Sequence, residues 1–271
     1  MKIGTISDLH IDRHTYINSE GYMQALVDCA IKRQLDLLII AGDISNNYQM
    51  TCAFISQVKA QINIPVLFVP GNHDYWSDQL DHSSTDIVTS FRQQPECLMT
   101  QPYIINDNWA IIGSTAWYDY SYAHERFSEE QLQSGKHYGA TWQDKVRIDW
   151  TVDDRQLSKQ FADELRAHAS QVAPRKLIIV THIVTHPAFM VPTPHRLFDF
   201  FNAYIGTTDI DSIYQDYPVR YSIMGHVHFR KELTENGITY LCPCLGYQRQ
   251  WRTDDIISEV NHALMDFTIN D

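Results

Sequence analysis

The sequence predicts an α/β fold built on parallel strands. In its N-terminal quarter, short apolar segments alternate with segments of helical spacing, in the order strand, helix, strand, helix, strand. The runs Asp36–Ala41 and Ile64–Pro70 are almost entirely apolar, as strands buried on both faces are. With 271 residues, of which 44% are hydrophobic, the chain can bury the core of one large α/β domain.

Each element is assigned from its own pattern. Helical spacing is clearest in Asp153–Val172, where Leu157, Phe161 and Leu165 recur every four residues. Asn236-Gly237 is typical of a hairpin turn. In chain order the predicted elements are strand Lys2–Ser7, helix Tyr22–Ile31, strand Asp36–Ala41, helix Tyr48–Ile62, strand Ile64–Pro70, helix Asp78–Arg92, hairpin Tyr103–Gly113, helix Asp153–Val172, strands Arg175–Val180 and Tyr221–Met224, hairpin Lys231–Leu245 and strand Ala263–Ile269. No linker rich in Pro, Ser or Gly divides them, so one domain over residues 1–271 is expected.

Composition narrows the classes of partner. A net charge of −12 makes long nucleic acid an unlikely partner, because that affinity comes mainly from Lys and Arg. A small phosphate ester is still compatible, since bound divalent ions reverse the local field. The odd count of five cysteines and the lack of a signal-like or membrane-spanning segment favour a cytoplasmic protein that does not enter the membrane. We interpret Cys242 and Cys244 as inert strand thiols in preference to a metal or redox pair.

Polar side chains follow five of the predicted strands. Residues two apart in extended chain face the same way, and neighbouring parallel strands lie about 4.8 Å apart, so these strand ends can converge on one cleft. Each fragment alone is ordinary turn sequence, and the ordered set carries the inference. The set is Asp8-Leu9-His10, Gly42-Asp43, Gly71-Asn72-His73-Asp74, His182 and Gly225-His226-Val227-His228.

These side chains are carboxylates, imidazoles and an amide, without a thiolate. Such a set suits Mn, Fe or Zn in a pair of sites better than a structural zinc site. Two divalent ions bring four positive charges, of which Asp8, Asp43 and one hydroxide offset three. The sequence therefore predicts two divalent cations in a site that attracts an anion such as phosphate.

This ordered set resembles that of the calcineurin-like metallophosphoesterases, from Ile3 to about Gly246. The resemblance implies a four-layer α/β/β/α sandwich with mixed sheets and a dinuclear metal site at the carboxyl ends of the strands. It implies attack on phosphorus by a metal-bridging hydroxide.

The same resemblance assigns roles to residues. Asp8, His10, Asp43 and His228 would hold one ion, and Asp43, Asn72, His182 and His226 the other. His73 would bind the phosphate beside Asn72 and protonate the leaving oxygen, with Asp74 orienting it. We favour His182 over His186 as the ligand because His182 follows the strand directly. His186 is left as a substrate contact or a plain loop residue.

The motif details favour a phosphodiesterase. Protein phosphatases of the family usually continue Gly-Asp with an arginine and end the third motif in Glu, whereas here Asp43 is followed by Ile44-Ser45-Asn46 and the motif ends in Asp74. We therefore expect hydrolysis of a small, nucleotide-like phosphodiester. The alternatives are a phosphomonoesterase, a nuclease and a non-catalytic scaffold, and the retained ligands and His73 argue against the scaffold.

An aromatic-rich insertion occupies about residues 114–150. One interpretation is a lid whose aromatic rings stack on a flat group of the substrate, and the other is a segment that packs on itself. Residues considered as anion contacts, although surface roles are the more common alternative for each, are Arg126, Lys136, Arg147, His195 and Arg196. Oligomeric state and natural substrate are not predicted.

Overall fold

The computed structural model of the protein describes residues 1–76 and 82–270. The helices are α1 Ser19–Lys32, α2 Tyr48–Gln61, α3 Ser84–Arg92, α4 Glu129–Ser134, α5 Asp144–Arg147, α6 Asp154–Val172, α7 Phe198–Phe201, α8 Asp211–Asp216 and α9 Ile256–Ala263. The strands are β1 Lys2–Ile6, β2 Leu37–Ala41, β3 Val66–Val69, β4 Tyr103–Ile104, β5 Trp109–Ser114, β6 Lys136–His137, β7 Ala140–Thr141, β8 Lys176–Thr181, β9 Val219–Ile223, β10 Arg230–Glu235, β11 Ile238–Pro243 and β12 Met265–Thr268.

Two mixed sheets form the centre of the fold. The first has the order β12-β1-β2-β3, in which β1, β2 and β3 are parallel and β12 is antiparallel. The second has the order β10-β11-β9-β8-β5-β4, with parallel strands in the middle and an antiparallel strand at each edge. The parallel strands of both sheets direct their carboxyl ends to the same edge, where loops are free to carry chemistry.

Alternation of side chains along the strands produces the layers. One face of each sheet packs against the other sheet, as Leu37 and Ile39 do against Ile178 and Ile223. The opposite face of the first sheet packs on α1 and α2, and that of the second sheet packs on α6. The four-layer α/β/β/α sandwich is therefore confirmed, with an apolar core on either side of each sheet.

The predicted elements agree closely with those observed, but several short elements were not predicted and some boundaries differ. Asn18, Asn47 and Asp153 begin α1, α2 and α6 because their side chains accept backbone N–H groups of the first turn. The elements that were not predicted are α4, α5, α7, α8, α9, β6 and β7, and the closing strand that follows α9 is shorter than expected. The expected helix from Asp78 begins at Ser84, and residues 77–81 lie outside the described residues.

Across residues 1–76 and 82–270, every helix is too short or too polar to span a lipid bilayer.

Candidate metal centre and active site

The five strand ends singled out in the sequence meet at one edge of the sandwich. Hydrogen bonds join them directly. The Asp8 N–H donates to the carbonyl of Gly42 at 2.9 Å, and the His226 N–H donates to the Asp8 carboxylate at 3.0 Å. A bridge between Ser7 and Cys244 connects the first sheet to the second at this edge. The site is therefore built by both sheets together.

The backbone is strained at this edge. A positive φ occurs at five of the candidate ligands, Asp8 (55°), His10 (44°), Asp43 (53°), His226 (73°) and His228 (55°). A residue other than glycine in this region costs roughly 1–3 kcal/mol and persists only where its surroundings over-determine it. Clustering of such residues is typical of functional sites.

Glycines allow the strand ends to approach one another. A Cβ added to Gly71 would collide with Oδ1 of Asp43, and one added to Gly225 would lie 2.7 Å from Oδ2 of Asp8. These glycines are needed because a carboxylate occupies the space that a side chain would fill.

The first cluster consists of Asp8, His10, Asp43 and His228, whose ligand atoms all lie within 4.8 Å of one another. The Nε2 atoms of His10 and His228 are 3.1 Å apart. Nε2 of His228 is 3.3 Å from Oδ1 of Asp8, and Nε2 of His10 is 3.8 Å from Oδ2 of Asp43.

The second cluster consists of Asp43, His182 and His226, together with the amide of Asn72. Oδ1 of Asn72 lies 3.0 Å from Nε2 of His182 and 2.9 Å from Nδ1 of His226. Nε2 of His182 is 3.3 Å from Oδ1 of Asp43. Asp43 thus offers one carboxylate oxygen to each cluster, which is the geometry of a bridging ligand.

Neighbouring groups determine which atom of each side chain faces the site. Nδ1 of His182 donates to the Ala41 carbonyl and Nε2 of His226 donates to the Tyr204 carbonyl, both at 2.9 Å. The other ring nitrogen therefore carries a lone pair when the imidazole is neutral. Oδ1 of Asn72 faces the second cluster, because the amide nitrogen of Asn72 points away and donates to the carboxylate of Asp144. These converging acceptors repel one another unless a cation, or a proton on Nε2 of His182, lies between them, so the residues fit divalent ions.

Protonation follows from burial and charge. Burial lowers the pKa of His226 to about 3, and burial with the charge of His73 lowers the pKa of His10, so both rings are neutral ligands. Burial opposes the His182 imidazolium, but the Asp43 carboxylate outweighs it and raises the pKa of His182 to about 10. The pKa of Asp43 is lowered despite burial, because the charge of His182 stabilises the carboxylate. The second cluster is therefore an environment in which a positive charge is stabilised by the Asp43 carboxylate.

His73 faces the first cluster, with Nε2 3.9 Å from Oδ2 of Asp43. Its Nδ1 is 2.6 Å from Oδ1 of Asn46, and its ring stacks on Trp76 with centroids 3.7 Å apart. Burial lowers the pKa of His73 to about 4. Asn46 and Trp76 hold this imidazole with Nε2 directed into the site.

The expected role of Asp74 in orienting His73 is wrong in geometry. The Asp74 carboxylate accepts the N–H groups of Ile44 (3.1 Å) and Gly71 (2.7 Å) and the hydroxyl of Thr51 (2.6 Å). Its side chain points back under the loops because four donors surround it there, the fourth being the N–H of Ser45 at 3.1 Å. Asp74 therefore ties the Gly42-Asp43 loop to the Gly71 loop, and Asn46 occupies the position beside His73.

A buried carboxylate from the insertion, Asp144, also supports the site. It accepts the amide of Asn72 at 2.9 Å, the indole N–H of Trp76 at 2.7 Å and that of Trp142 at 2.8 Å. Burial raises the pKa of Asp144 to about 6, although these donors oppose the shift. One side chain thus orients the amide of Asn72 and two walls of the pocket.

These residues enclose a cavity of about 330 Å³ over the two clusters. Its lining consists of Asp43, Asn72, His73, Trp76, Thr141, Trp142, Gln143, Asp144, His226, His228 and Tyr247.

Residues 1–230 match the family model described as calcineurin-like phosphoesterase. The chain belongs to this family.

The metallophosphoesterase is similar to two named phosphodiesterases. It is 22% identical over 251 residues to the [acyl-carrier-protein] phosphodiesterase PptH of Mycobacterium tuberculosis, covering 85% of this chain and 75% of the relative. It is 35% identical over 79 residues to a probable cyclic nucleotide phosphodiesterase of Fibrobacter succinogenes, covering 27% of this chain and 31% of the relative. The crystal structure of the phosphopantetheinyl hydrolase PptH from M. tuberculosis superposes with a TM-score of 0.71 at 18% identity, covering 93% and 91% of the two chains. The superposition shows a shared fold.

In this phosphoesterase the insertion serves both packing and the pocket. Trp117, Tyr118, Tyr120 and Tyr122 are buried in the core, as the packing interpretation expected. Trp142, which is half-buried, is the aromatic residue among 114–150 that lines the pocket in the described structure. For Trp142 the lid interpretation stays a prediction, because this side chain lines the pocket.

Other candidates lie away from the two clusters. His186 is held 2.8 Å from Glu235, and Arg126 pairs with Asp199 at 3.0 Å. His195 caps α7 by accepting the N–H of Phe198.

The three remaining residues that were considered as anion contacts lie outside the two ligand clusters. Arg196 stacks over Tyr138, and Lys136 is exposed in β6. Arg147 lines a cavity beside the metal pocket. Cys242 and Cys244 are buried free thiols with sulfurs 3.5 Å apart.

The sequence interpretation missed four supporting residues, namely Asn46, Trp76, Asp144 and Gln250. Asn46 and Trp76 follow the Gly-Asp and Gly-Asn-His-Asp motifs within a few positions, which is a usable signal for loop residues near a site. Gln250 accepts from Nδ1 of His228 at 2.7 Å. Asp144 and Gln250 have no motif around them that could have identified them.

Proposed function

We propose that the protein is a dinuclear metal-dependent phosphodiesterase acting on a small, nucleotide-like phosphodiester. The observation that carries the proposal is the shared Asp43 carboxylate, which offers one oxygen to each of two ligand clusters, with His73 facing the same space. Two cation sites joined by one carboxylate are suited to in-line displacement at phosphorus.

The ligands of the proposed ions are Asp8, His10, Asp43 and His228 for one, and Asp43, Asn72, His182 and His226 for the other. When bound, two divalent ions lower the pKa of a water and offset the charge of the phosphoryl oxygens. The ligand set suits Mn, Fe or Zn.

His73 is proposed to bind the phosphoryl group and to protonate the leaving oxygen. A proton on Nδ1 is held by Asn46, which leaves Nε2 to exchange a proton with the substrate. Burial lowers the pKa of the free imidazole to about 4, and an adjacent phosphate anion opposes that shift by stabilising the imidazolium.

Two features favour a diester with a flat group over a monoester. The pocket is walled by Trp76, Trp142 and Tyr247, whose rings offer apolar faces beside the ligands. Two relatives are named as phosphodiesterases, one of them for cyclic nucleotides. A phosphomonoester is the second candidate substrate, and the carrier-protein diester in the name of PptH is a third.

We propose that residues 1–271 work as one unit, because the candidate ligands extend from Asp8 to His228 and come from both sheets. A reducing cytoplasm is the proposed location, consistent with buried free thiols. Immunofluorescence or cell fractionation tests this location.

The proposal is tested by hydrolysis of bis(p-nitrophenyl) phosphate and p-nitrophenyl phosphate by metal-stripped protein reloaded with Mn. We expect turnover of the diester, and a loss of roughly 100-fold or more in kcat for His73→Ala with metal content unchanged. The matched control is Arg220→Gln, at the amino end of β9 and away from the pocket. Turnover of the monoester alone would move the assignment to a phosphatase. Failure of both substrates with two ions bound would contradict the phosphodiesterase.

A further inference from the structure

A second cavity, of about 460 Å³, lies beside the metal pocket. It shares Trp76, Gln143 and Tyr247 with that pocket, so the two spaces are adjacent at these three side chains. Its remaining wall contains Arg13, Arg147 and Arg249. A substrate bound at the clusters can therefore extend into a space with a different chemical character.

That character is opposite to the charge of the whole chain. The protein has a net charge of −12, yet the described lining of this cavity has three arginines and no Asp or Glu. The guanidinium carbon of Arg147 is 4.8 Å from the Trp76 ring, and that of Arg249 is 5.0 Å from the Tyr247 ring. The arginines thus lie against the aromatic rings that separate the two cavities.

Arg13 and Arg249 have no carboxylate partner among residues 1–76 and 82–270. Arg33 and Arg230, in contrast, bond carboxylates at 2.6 Å. The guanidinium carbon of Arg13 lies 5.9 Å from the Trp76 ring, on which His73 stacks. Both cations are therefore available for an anion that enters from the metal pocket.

We propose that this cavity is an anion subsite of the active site, and that the substrate is a phosphodiester carrying a second, non-scissile phosphate bound by Arg13 and Arg249. The proposal rests on the phosphodiesterase function above. The part of the substrate between the two phosphates passes Trp76 and Tyr247, the aromatic residues that line both cavities. A guanidinium binds phosphate through paired N–H groups, which a glutamine cannot reproduce.

The test compares two chromogenic substrates that differ by one phosphate. These are the p-nitrophenyl ester of thymidine 5′-phosphate and the same ester with a 3′-phosphate, at one Mn concentration. We expect kcat/KM to be about tenfold higher for the 3′-phosphorylated ester, as for one or two charge-assisted hydrogen bonds in a solvated site. In Arg13→Gln/Arg249→Gln the ratio falls to about one, and in the control Arg220→Gln it is retained.

A binding measurement separates the subsite from the reaction. Calorimetry of the Mn-loaded protein compares thymidine 3′,5′-bisphosphate with thymidine 5′-phosphate. A binding preference for the bisphosphate that disappears in the double variant supports the subsite, whether or not the esters are hydrolysed. If neither ester is hydrolysed, that result refutes the phosphodiesterase function and leaves the subsite standing. Hydrolysis of both esters at equal kcat/KM, or a preference unchanged in the double variant, would overturn the subsite while the phosphodiesterase stands.

Discussion

Asp144→Ala is expected to weaken the second metal site without removing a ligand. Asp144 is buried at 3% exposure and contacts Asn72 through the amide nitrogen, not through the oxygen that faces His182 and His226. Without this acceptor the amide of Asn72 can rotate and turn its N–H group toward the cation. Asp144 is thus a positioning residue, and its substitution tests whether the insertion holds the metal centre.

The magnitude follows from the hydrogen bonds lost. Four donors lose their acceptor, namely the Asn72 amide, the indoles of Trp76 and Trp142 and the Tyr118 hydroxyl, at 2.9, 2.7, 2.8 and 3.4 Å. A buried donor without a partner costs roughly 1–3 kcal/mol, and water from the pocket can reach some of these groups, so we expect a loss of about 3 kcal/mol in the free energy of unfolding. Loss of a residue that hydrogen-bonds a metal ligand typically lowers metal affinity about 10–100-fold, and we expect a loss of that size here.

The assay is a titration of metal-stripped protein with Mn, followed by metal analysis and by the electron paramagnetic resonance signal of a coupled Mn pair. Asp144→Ala should bind the second ion about 10–100-fold more weakly and lose the coupled signal at limiting Mn. Asp144→Asn, which keeps one acceptor oxygen, should lie between wild type and Asp144→Ala. The control is Asp119→Ala, because Asp119 is an equally buried carboxylate of the insertion that bonds Thr208 and Ser121. Wild-type affinity for both ions in folded Asp144→Ala would refute the positioning role.

The remaining predictions concern Asp43, Asn46 and Glu259. Asp43→Ala should bind neither ion at stoichiometric Mn, because each cluster loses one carboxylate oxygen; metal analysis checks this. Asn46→Ala should lower kcat roughly tenfold at full metal content and change its pH profile, because Nδ1 of His73 loses its acceptor. Glu259→Gln should lower the free energy of unfolding at pH 7 by about 3 kcal/mol in urea titrations, because buried Glu259 bonds Arg230 at 2.6 Å. The pKa of Glu259 is lowered from 4.5, because the bonds and charge of Arg230 outweigh burial, so this stabilisation is complete above pH 4.5 and is lost as pH falls through the lowered pKa.

Each of these predictions has a contradicting outcome. Two ions retained in Asp43→Ala would exclude the bridging carboxylate. An unaltered kcat and pH profile in Asn46→Ala would show that His73 needs no acceptor at Nδ1. Equal destabilisation by Glu259→Gln at pH 7 and pH 3.5 would contradict the lowered pKa of Glu259, and Glu130→Gln, in the exposed first turn of α4, provides the control.

Prediction from sequence succeeded where the signal is local. The apolar run Leu37–Ala41 and the spacing of Leu157, Phe161 and Leu165 specify a buried strand and an amphipathic helix without information from elsewhere. Helix α9 was missed because it is short and lies directly before β12. The role assigned to Asp74 was wrong for another reason. A carboxylate next in sequence to His73 has several rotamers, and the donors of Ile44, Thr51 and Gly71 decide among them.

The sequence by itself determined the strand ends, the candidate ligands that follow them and the family to which the chain belongs, because apolar runs and polar strand-end motifs are properties of consecutive residues. Only the tertiary structure decided how those ligands are held. Asp144 meets Asn72 across 72 positions of sequence, and Gln250 meets His228 across 22. The arginine-lined cavity likewise joins Arg13 to Arg249 from opposite ends of the chain. Such contacts depend on the packing of both sheets and on the direction of individual hydrogen bonds, which no local pattern encodes.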